Sequence, residues 1–390
     1  MAAEVLATHG FQVDLYEHMP SVGRKLLLAG RSGLNLTNSE SVDEMVARFG
    51  TAPLVADAVR RFPPSALREW AAGLGEATYV GSSGRVFPAA FRATPLLRAW
   101  LARLAGLGVN IHVRHRWLGW GSEVDPLVHR FQTSDGRTVD TRSDVTVFAL
   151  GGASWPRVGS DGSWVPNFVG VGLDVRTLRP ANCGLHVTWS RVFAEQYAGV
   201  PVKNTSVSVG AMTARGDITI TTRGLESGPI YMVSSEVRDA IDREGTCTLT
   251  VDLHPDLTVE AVTDRLSRRR PKDSVTTFLR RSVGLSPVAI ALLREATGNS
   301  LPTEPSQFAQ LIKSVPLTVE SVAPVERAIS TAGGVSFDEL NDNFMVRSLP
   351  GTFVAGEMLD WEAPTGGYLL QASFSTAVVA ARGAIVWLAD

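Results

Sequence analysis

Phe353-Val354-Ala355-Gly356-Glu357 leads into Thr365-Gly366-Gly367-Tyr368, and these two stretches set the fold of the whole chain. The first reads as an apolar strand that stops on a glycine and an acid. The second opens a long apolar segment, Tyr368 to Ala389, with two glycines at its head. Glycine lets a neighbouring backbone or a ligand come close to the first helical turn, where free N–H groups and the positive end of the dipole gather. A capped structural helix would explain one glycine. The repeated pattern suits a helix start that receives an electron-rich group. Gln371, Arg382 and several hydroxyls interrupt the apolar segment, which makes it a buried helix rather than a membrane span.

Working outward, Val145 to Leu150 is a continuous apolar run that ends at Gly151-Gly152, as expected of a parallel strand covered on both faces. At the other end of the chain, Ala2, Val5 and Leu6 share a helical face that Gly10 terminates. Phe11 to Tyr16 then alternates as a strand and finishes at Glu17. An acid in that place accepts hydrogen bonds from ribose hydroxyls in a dinucleotide-binding unit, although many ordinary strands also end in an acid. Val109 to Val113 is a further strand. It follows a helix with Thr94 as cap, Pro95 in the first turn and Leu97, Trp100, Leu101 and Leu104 on one face. Asp135-Gly136 marks a hairpin turn.

The pattern changes near Pro180. Short alternating stretches at Val207 to Val209, Ile218 to Thr222 and Thr246 to Val251 predict a small antiparallel barrel or sandwich. Helical spacing takes over from Thr258 to Lys313. The expectation is therefore an α/β, Rossmann-type domain in two parts, 1–180 and 324–390. It is interrupted by a β domain over 181–257, with a return strand near 314–323, and by a helical insert over 258–313.

Between the first strand and this insertion lies Gly23-Arg24-Lys25-Leu26-Leu27-Leu28-Ala29-Gly30-Arg31-Ser32-Gly33-Leu34-Asn35-Leu36-Thr37-Asn38. Three glycines, three cations and two asparagines here suit a diphosphate approached by backbone. An ordinary surface loop has no need to combine that glycine content with Leu26 to Leu28.

Composition removes other classes. A formal net charge of -2 supplies no global field for nucleic acid or acidic lipid, and Arg268-Arg269-Arg270 with Lys272 reads as a solvated face. Cys183 and Cys247 belong to no CxxC, so a disulfide framework, a cysteine zinc site and a dithiol pair are excluded. His112 and His115 are expected on or just after a strand, on different faces, with no carboxylate close in sequence, so no metal site is expected. There is no Gly-x-Ser-x-Gly elbow and no Gly-Lys-Ser/Thr phosphate loop. The first residues lack a basic start followed by an apolar stretch, which predicts a cytoplasmic protein.

Four stretches now carry a resemblance: Gly23 to Asn38; Gly84-Arg85-Val86-Phe87-Pro88; Ala149-Leu150-Gly151-Gly152-Ala153-Ser154-Trp155-Pro156; and Thr331-Ala332-Gly333-Gly334-Val335 with the C-terminal glycine elements. In this order they resemble the BaiN/YhiN-like family of bacterial flavoproteins, NAD(P)/FAD-dependent oxidoreductases. The resemblance implies bound FAD, with Glu17 on the ribose and Arg24, Lys25, Arg31, Ser32, Gly33 and Asn35 near the nucleotide. It also implies that Val113, Ala149, Gly151, Gly152 and Trp155 approach the cofactor. Gly356, Glu357, Gly366, Gly367 and Tyr368 would meet its ribityl and ring parts.

Two departures accompany it. The family's Gly-Gly-Gly-Arg-Cys-Asn loop is here Gly30-Arg31-Ser32-Gly33-Leu34-Asn35, which excludes a cysteine role beside the flavin. The Gly-x-Gly-x-x-Gly turn and its strand do not precede the first helix, and a start assigned too late or a shortened chain is the expectation.

The implied activity is hydride transfer through flavin N5 to or from a small apolar or ring-containing substrate bound between the FAD domain and the inserted lobes. Any NAD(P)H would bind transiently, without a Rossmann domain of its own. The other readings are a non-catalytic relic of the scaffold, or a flavin-dependent RNA-modifying enzyme, which the charge balance disfavours. No residue is assigned an acid or base role, and nothing in the sequence sets the oligomeric state.

Overall fold

Parallel pairing organises the α/β layer of the computed structural model, which describes residues 1–50, 52–270 and 272–389, with Ser32 described through its backbone alone. Asp14–Glu17 pairs in parallel with Asn110–Val113, which sets Glu17 opposite Val113. Thr352–Val354 pairs in parallel with Thr146–Phe148. Parallel neighbours need long crossovers, and the helices between them supply these.

Both ladders are shorter than the apolar runs that contain them. Phe11, expected in the first strand, still donates its N–H to the helical carbonyl of Leu6 at 3.3 Å, so the ladder starts only at Asp14. The helix over Ala93–Gly106 starts one residue before the cap expected at Thr94. Its N-cap is Arg92, which makes no side-chain cap bond. The buried Ala93 explains the shift: a Cβ on Gly30 would lie 2.6 Å from the Cβ of Ala93, so tertiary packing draws that turn inward.

The terminal helix, Tyr368–Ala389, is a core element of this layer. Ala372, Val379, Ala380, Ala381 and Ala384 are completely buried, and their small size lets the helix Pro53–Arg61 pack close. Gln371 Nε2 and Ser375 Oγ both donate to the carbonyl of Phe62, at 2.9 and 2.8 Å, which satisfies an open carbonyl just past that helix.

Beside this layer, the strands Arg116–Trp120, Val128–Gln132 and Thr138–Arg142 form an antiparallel meander. His129 is buried in it against Phe148, and its Nε2 lies 2.6 Å from Thr146 Oγ1. Burial pushes its pKa from 6.5 down to about 4. The folded state therefore keeps His129 neutral, while the unfolded chain takes up a proton as pH falls below 6.5. Stability from this group is complete above that pH and declines between pH 6.5 and 4. The expected acid loss is roughly 2–3 kcal/mol. Urea midpoints at neutral and acid pH should differ less in His129→Leu than in the parent chain; equal slopes would refute the assignment.

The chain divides into two compact units, 1–179 with 329–390, and 180–328. The second unit contains a seven-stranded sheet, antiparallel throughout. Its two end strands are Val315–Val319 and Ser321–Val322, neighbouring stretches of chain interrupted at Glu320, so the sheet closes on itself. The helix Gly228–Glu244 was not expected among the strand-like stretches of 181–257. Pro229 starts it, and Ile230, Val233, Val237 and Ala240 recur at helical spacing and are buried. The barrel and the helical insert share one apolar core: Ile218, Leu249 and Val315 join Val262, Leu279 and Leu292 in a single cluster.

Candidate functional site

Lys25 joins the two ends of the sequence. It lies in the first turn of the helix Arg24–Ala29, and its Nζ donates to Glu357 Oε2 at 2.5 Å, Ser154 Oγ at 2.7 Å and Ser160 Oγ at 3.2 Å. An ammonium has three donors, so this set uses them all. Glu357 is 9% exposed, and its other oxygen accepts the Thr331 N–H at 3.0 Å. Thr331 Oγ1 in turn accepts the N–H groups of Ala153 and Ser154 at 2.9 and 3.3 Å. At Gly152 a side chain is impossible without a shift, because an added Cβ would lie 2.2 Å from Thr331 Oγ1. The turn after the strand Thr146–Phe148 is thus held to Glu357 through a continuous polar chain.

Next to it, the glycine turn meets the head of the terminal helix. The Gly367 carbonyl accepts the Gln371 N–H at 3.1 Å, so the helix begins there and leaves its first N–H groups free. Gly367 has φ +99°, and an added Cβ would lie 2.6 Å from the backbone of Thr37. Asn38 Nδ2 donates to the Gly366 carbonyl at 3.4 Å. The stretch 34–38 is therefore pressed against the helix entry. Three buried polar atoms in these segments, Asn35 Oδ1, Thr37 Oγ1 and Thr365 Oγ1, have no hydrogen-bond partner among the described residues. Native interiors rarely leave such atoms unpaired.

Tyr368 is buried, with Phe49 at 6.3 Å between ring centroids. Burial first, and then the Glu40 carboxylate beside its hydroxyl, push its pKa up to about 12, so the phenol keeps its proton at neutral pH. It cannot serve as a base there.

The remaining expected residues are spread out. Glu17 Oε1 accepts the Met19 N–H at 2.8 Å at the end of its strand, opposite Val113. Arg24 reaches Ser21 Oγ at 3.3 Å, and Arg31 and Ala149 are exposed. The Ser32 side chain lies outside the described residues. Gly33 sits beneath the ring of Phe91. Trp155 is 39% exposed and left-handed at φ 63°. Gly151 gives its carbonyl to Trp164 Nε1 at 2.9 Å, and Gly356 gives its carbonyl to Trp361 Nε1 at 3.0 Å.

Ser154, Ser160 and Thr331 are members of the site that sequence reasoning did not single out. Ser154 and Thr331 lie in stretches that carry the resemblance and Ser160 does not, but the role of all three comes from contacts across the fold. The histidines also need correction. Arg114 has φ 60°, which breaks the strand alternation and brings the His112 and His115 rings to 5.6 Å, with Tyr16 against both. Asp14 Oδ1 lies 2.8 Å from His112 Nε2. Even so, among the described residues no group of three or more His, Cys, Asp or Glu side chains could hold a metal ion.

The comparisons with known proteins bear on the family and the fold. The HI0933-like protein Rossmann domain matches residues 1–383. The 3-dehydro-bile acid delta(4,6)-reductase of Clostridium scindens is 26% identical over 391 residues, covering 96% of this chain and 92% of its own length. The 3-ketosteroid-delta4-(5alpha)-dehydrogenase of Rhodococcus jostii RHA1, solved with 4-androstene-3,17-dione, superposes with a TM-score of 0.50 at 14% identity, over 100% of this chain and 94% of that one. The FrdA subunit of E. coli quinol fumarate reductase gives a TM-score of 0.50 at 14% identity, over 100% of this chain and 68% of that one. At such identity the two solved structures speak to the fold alone. The match over nearly its whole length places this chain in the HI0933-like Rossmann domain family, the BaiN/YhiN-like flavoprotein oxidoreductases.

Proposed function

We propose that the chain is an FAD-dependent oxidoreductase that reduces or oxidises a small apolar, ring-containing substrate, with a conjugated enone as the reacting group. The observation that carries this reading is the entry to the terminal helix. Two left-handed glycines open it, and buried oxygens of Asn35, Thr37 and Thr365 near it lack protein partners. That is the donor and acceptor set a flavin ring edge and its ribityl hydroxyls need, so the residues present fit the cofactor.

When bound, FAD supplies a two-electron carrier that takes or gives a hydride at N5. The protein's share is to hold and orient. Free N–H groups at the helix head and its positive dipole end favour negative charge beside them. Lys25 fixes Glu357 and the turn 150–154 at one distance, so the walls of the site keep their shape. Phe49, Trp361 and Tyr368 pack together and keep water from the far side of the helix entry. The enone assignment rests on the named activity of the Clostridium scindens relative. A reduced nicotinamide binding transiently is the proposed electron donor.

The test is reconstitution. Purified protein incubated with FAD and desalted should stay yellow, bleach with NADH or NADPH under anaerobic conditions, and regain its colour with 4-androstene-3,17-dione. Protein that stays colourless after FAD is added would sink the reading.

A further inference from the structure

The small antiparallel sheet formed by Thr37–Asn38, Thr78–Val80 and Arg85–Pro88 has one buried and one open face. Register assigns the side chains. Thr37 and Val86 are paired and completely buried on the inner face. Asn38 pairs with Arg85, and Tyr79 pairs with Phe87, so these four share the outer face. Phe91 extends it, with its ring 5.1 Å from Phe87 and tilted 40°, while Tyr79 and Phe87 lie 5.8 Å apart and tilted 30°. At these separations the rings overlap as a short stack with Phe87 in the middle, so the open ring surface belongs to Tyr79 and Phe91 on either side of it. Tyr79 and Phe91 are 44% and 42% exposed, unusual for large rings that could pack inward.

Two features argue that this exposure is maintained at a cost. Phe91 holds φ 59°, a conformation bulky residues avoid. Its ring also lies over Gly33, where an added Cβ would come within 2.3 Å of Phe91 Cζ. The loop 30–35 is thus shaped to seat a ring that solvent still reaches. The face is continuous with the flavin end of the fold through the Asn38–Gly366 hydrogen bond. Arg85, on the same face, makes no ion pair among the described residues.

We propose that this face binds the flat ring system of the substrate, with Arg85 receiving an acidic group on the same molecule. The assignment rests on the flavin reading of the adjacent helix entry, since only that reading makes a neighbouring ring-binding face a substrate site. Stacking against aromatic faces suits a fused polycycle, and a guanidinium without a partner suits a carboxylate.

Equilibrium dialysis of the full chain tests this without turnover. The probes are 4-androstene-3,17-dione and its analogue in which a carboxylate replaces the D-ring ketone. The parent protein should hold the acid about fivefold more tightly than the dione. Arg85→Gln should abolish that preference and leave dione binding unchanged. Phe91→Gly should weaken both probes about tenfold, the loss of one stacked ring. Glycine adopts this φ readily, so the variant keeps its fold, and a matching thermal melt checks that. Phe87→Ala provides a second removal of ring surface. Unchanged binding in both ring variants, or no binding by the parent chain, overturns the proposal. So does a change of oligomeric state in Phe91→Gly, which would assign the face to a second copy of the chain. A colourless protein that still discriminates the probes in this way would fail the flavin reading while retaining the ring-binding face.

Discussion

Lys25→Met should abolish FAD retention and lower unfolding stability by about 3 kcal/mol. The substitution keeps the length and most of the apolar stem of the side chain, so the change is confined to the charge and its three donated bonds. Glu357 is left with its carboxylate 9% exposed and with only the Thr331 N–H still donating to it. Removing one partner of a buried pair costs far more than the pair contributed, because the remaining charge has lost its water and its counterion together. The full upper range does not apply, since Lys25 itself is 27% exposed and solvent screens part of the interaction. A double-mutant cycle separates the two effects. Lys25→Met with Glu357→Gln should recover at least half of the lost stability, measured as the urea midpoint at constant m, but none of the flavin binding. If the double variant is as unstable as the sum of its single changes, the pair is not coupled and this account of the site is wrong.

Gly367→Ala should cost about 3 kcal/mol and raise the FAD dissociation constant by a factor of about a hundred or more. Two penalties coincide at this residue. Its φ of +99° strains any residue with a Cβ, and the new methyl would meet the Cα, carbonyl carbon and oxygen of Thr37 at 2.6 to 2.7 Å. Backbone cannot rotate away as a side chain can, so the whole stretch 34–38 must shift, and it carries Asn35 and Thr37 with it. Gly366→Ala provides the comparison. At φ +129° it is strained too, but its added Cβ would meet only side-chain atoms, the nearest a ring carbon of Tyr368 at 2.9 Å, and no backbone, so the loss should be smaller than at Gly367. Gly106→Ala, in a helix with nothing within 4 Å of its added Cβ, should be neutral or slightly stabilising. Thermal melts and flavin titrations of the three variants give the order directly. Equal losses at Gly366 and Gly367 would contradict the close approach described here.

The α/β layer, its interruption and both glycine elements were legible in the sequence because each is written locally. Apolar runs bounded by glycine mark strands, and a doubled glycine marks a helix start. Alternation also gave the closed sheet of the second unit. It did not reveal Gly228–Glu244, where Ser234, Ser235 and Glu236 between Val233 and Val237 obscured the helical period. What the sequence could not display is the polar chain from Lys25 through Glu357 and Thr331 to the turn at Gly152. Its members are ordinary residue types with no fixed spacing, and only the folded backbone brings them together. The aromatic face escaped notice for a related reason. Tyr79 and Phe87 belong to different strands, and the backbone that raises Phe91 depends on a contact with Gly33.

The bond between Lys25 and Glu357 spans 332 positions of sequence, and it gives the molecule an order of assembly. Residues 180–328 are contiguous and share one core, so on the ribosome they can collapse as soon as they emerge. The other unit must wait, because its ladder at Thr146–Phe148 needs Thr352–Val354 and its core needs the terminal helix. Once formed, the inserted unit shortens the effective loop that the first unit has to close. The cofactor site is then the last part of the protein to exist. A chain interrupted before its final helix would carry a finished insertion and no place for a flavin, so the colour of the holoprotein would report that synthesis had run to the end.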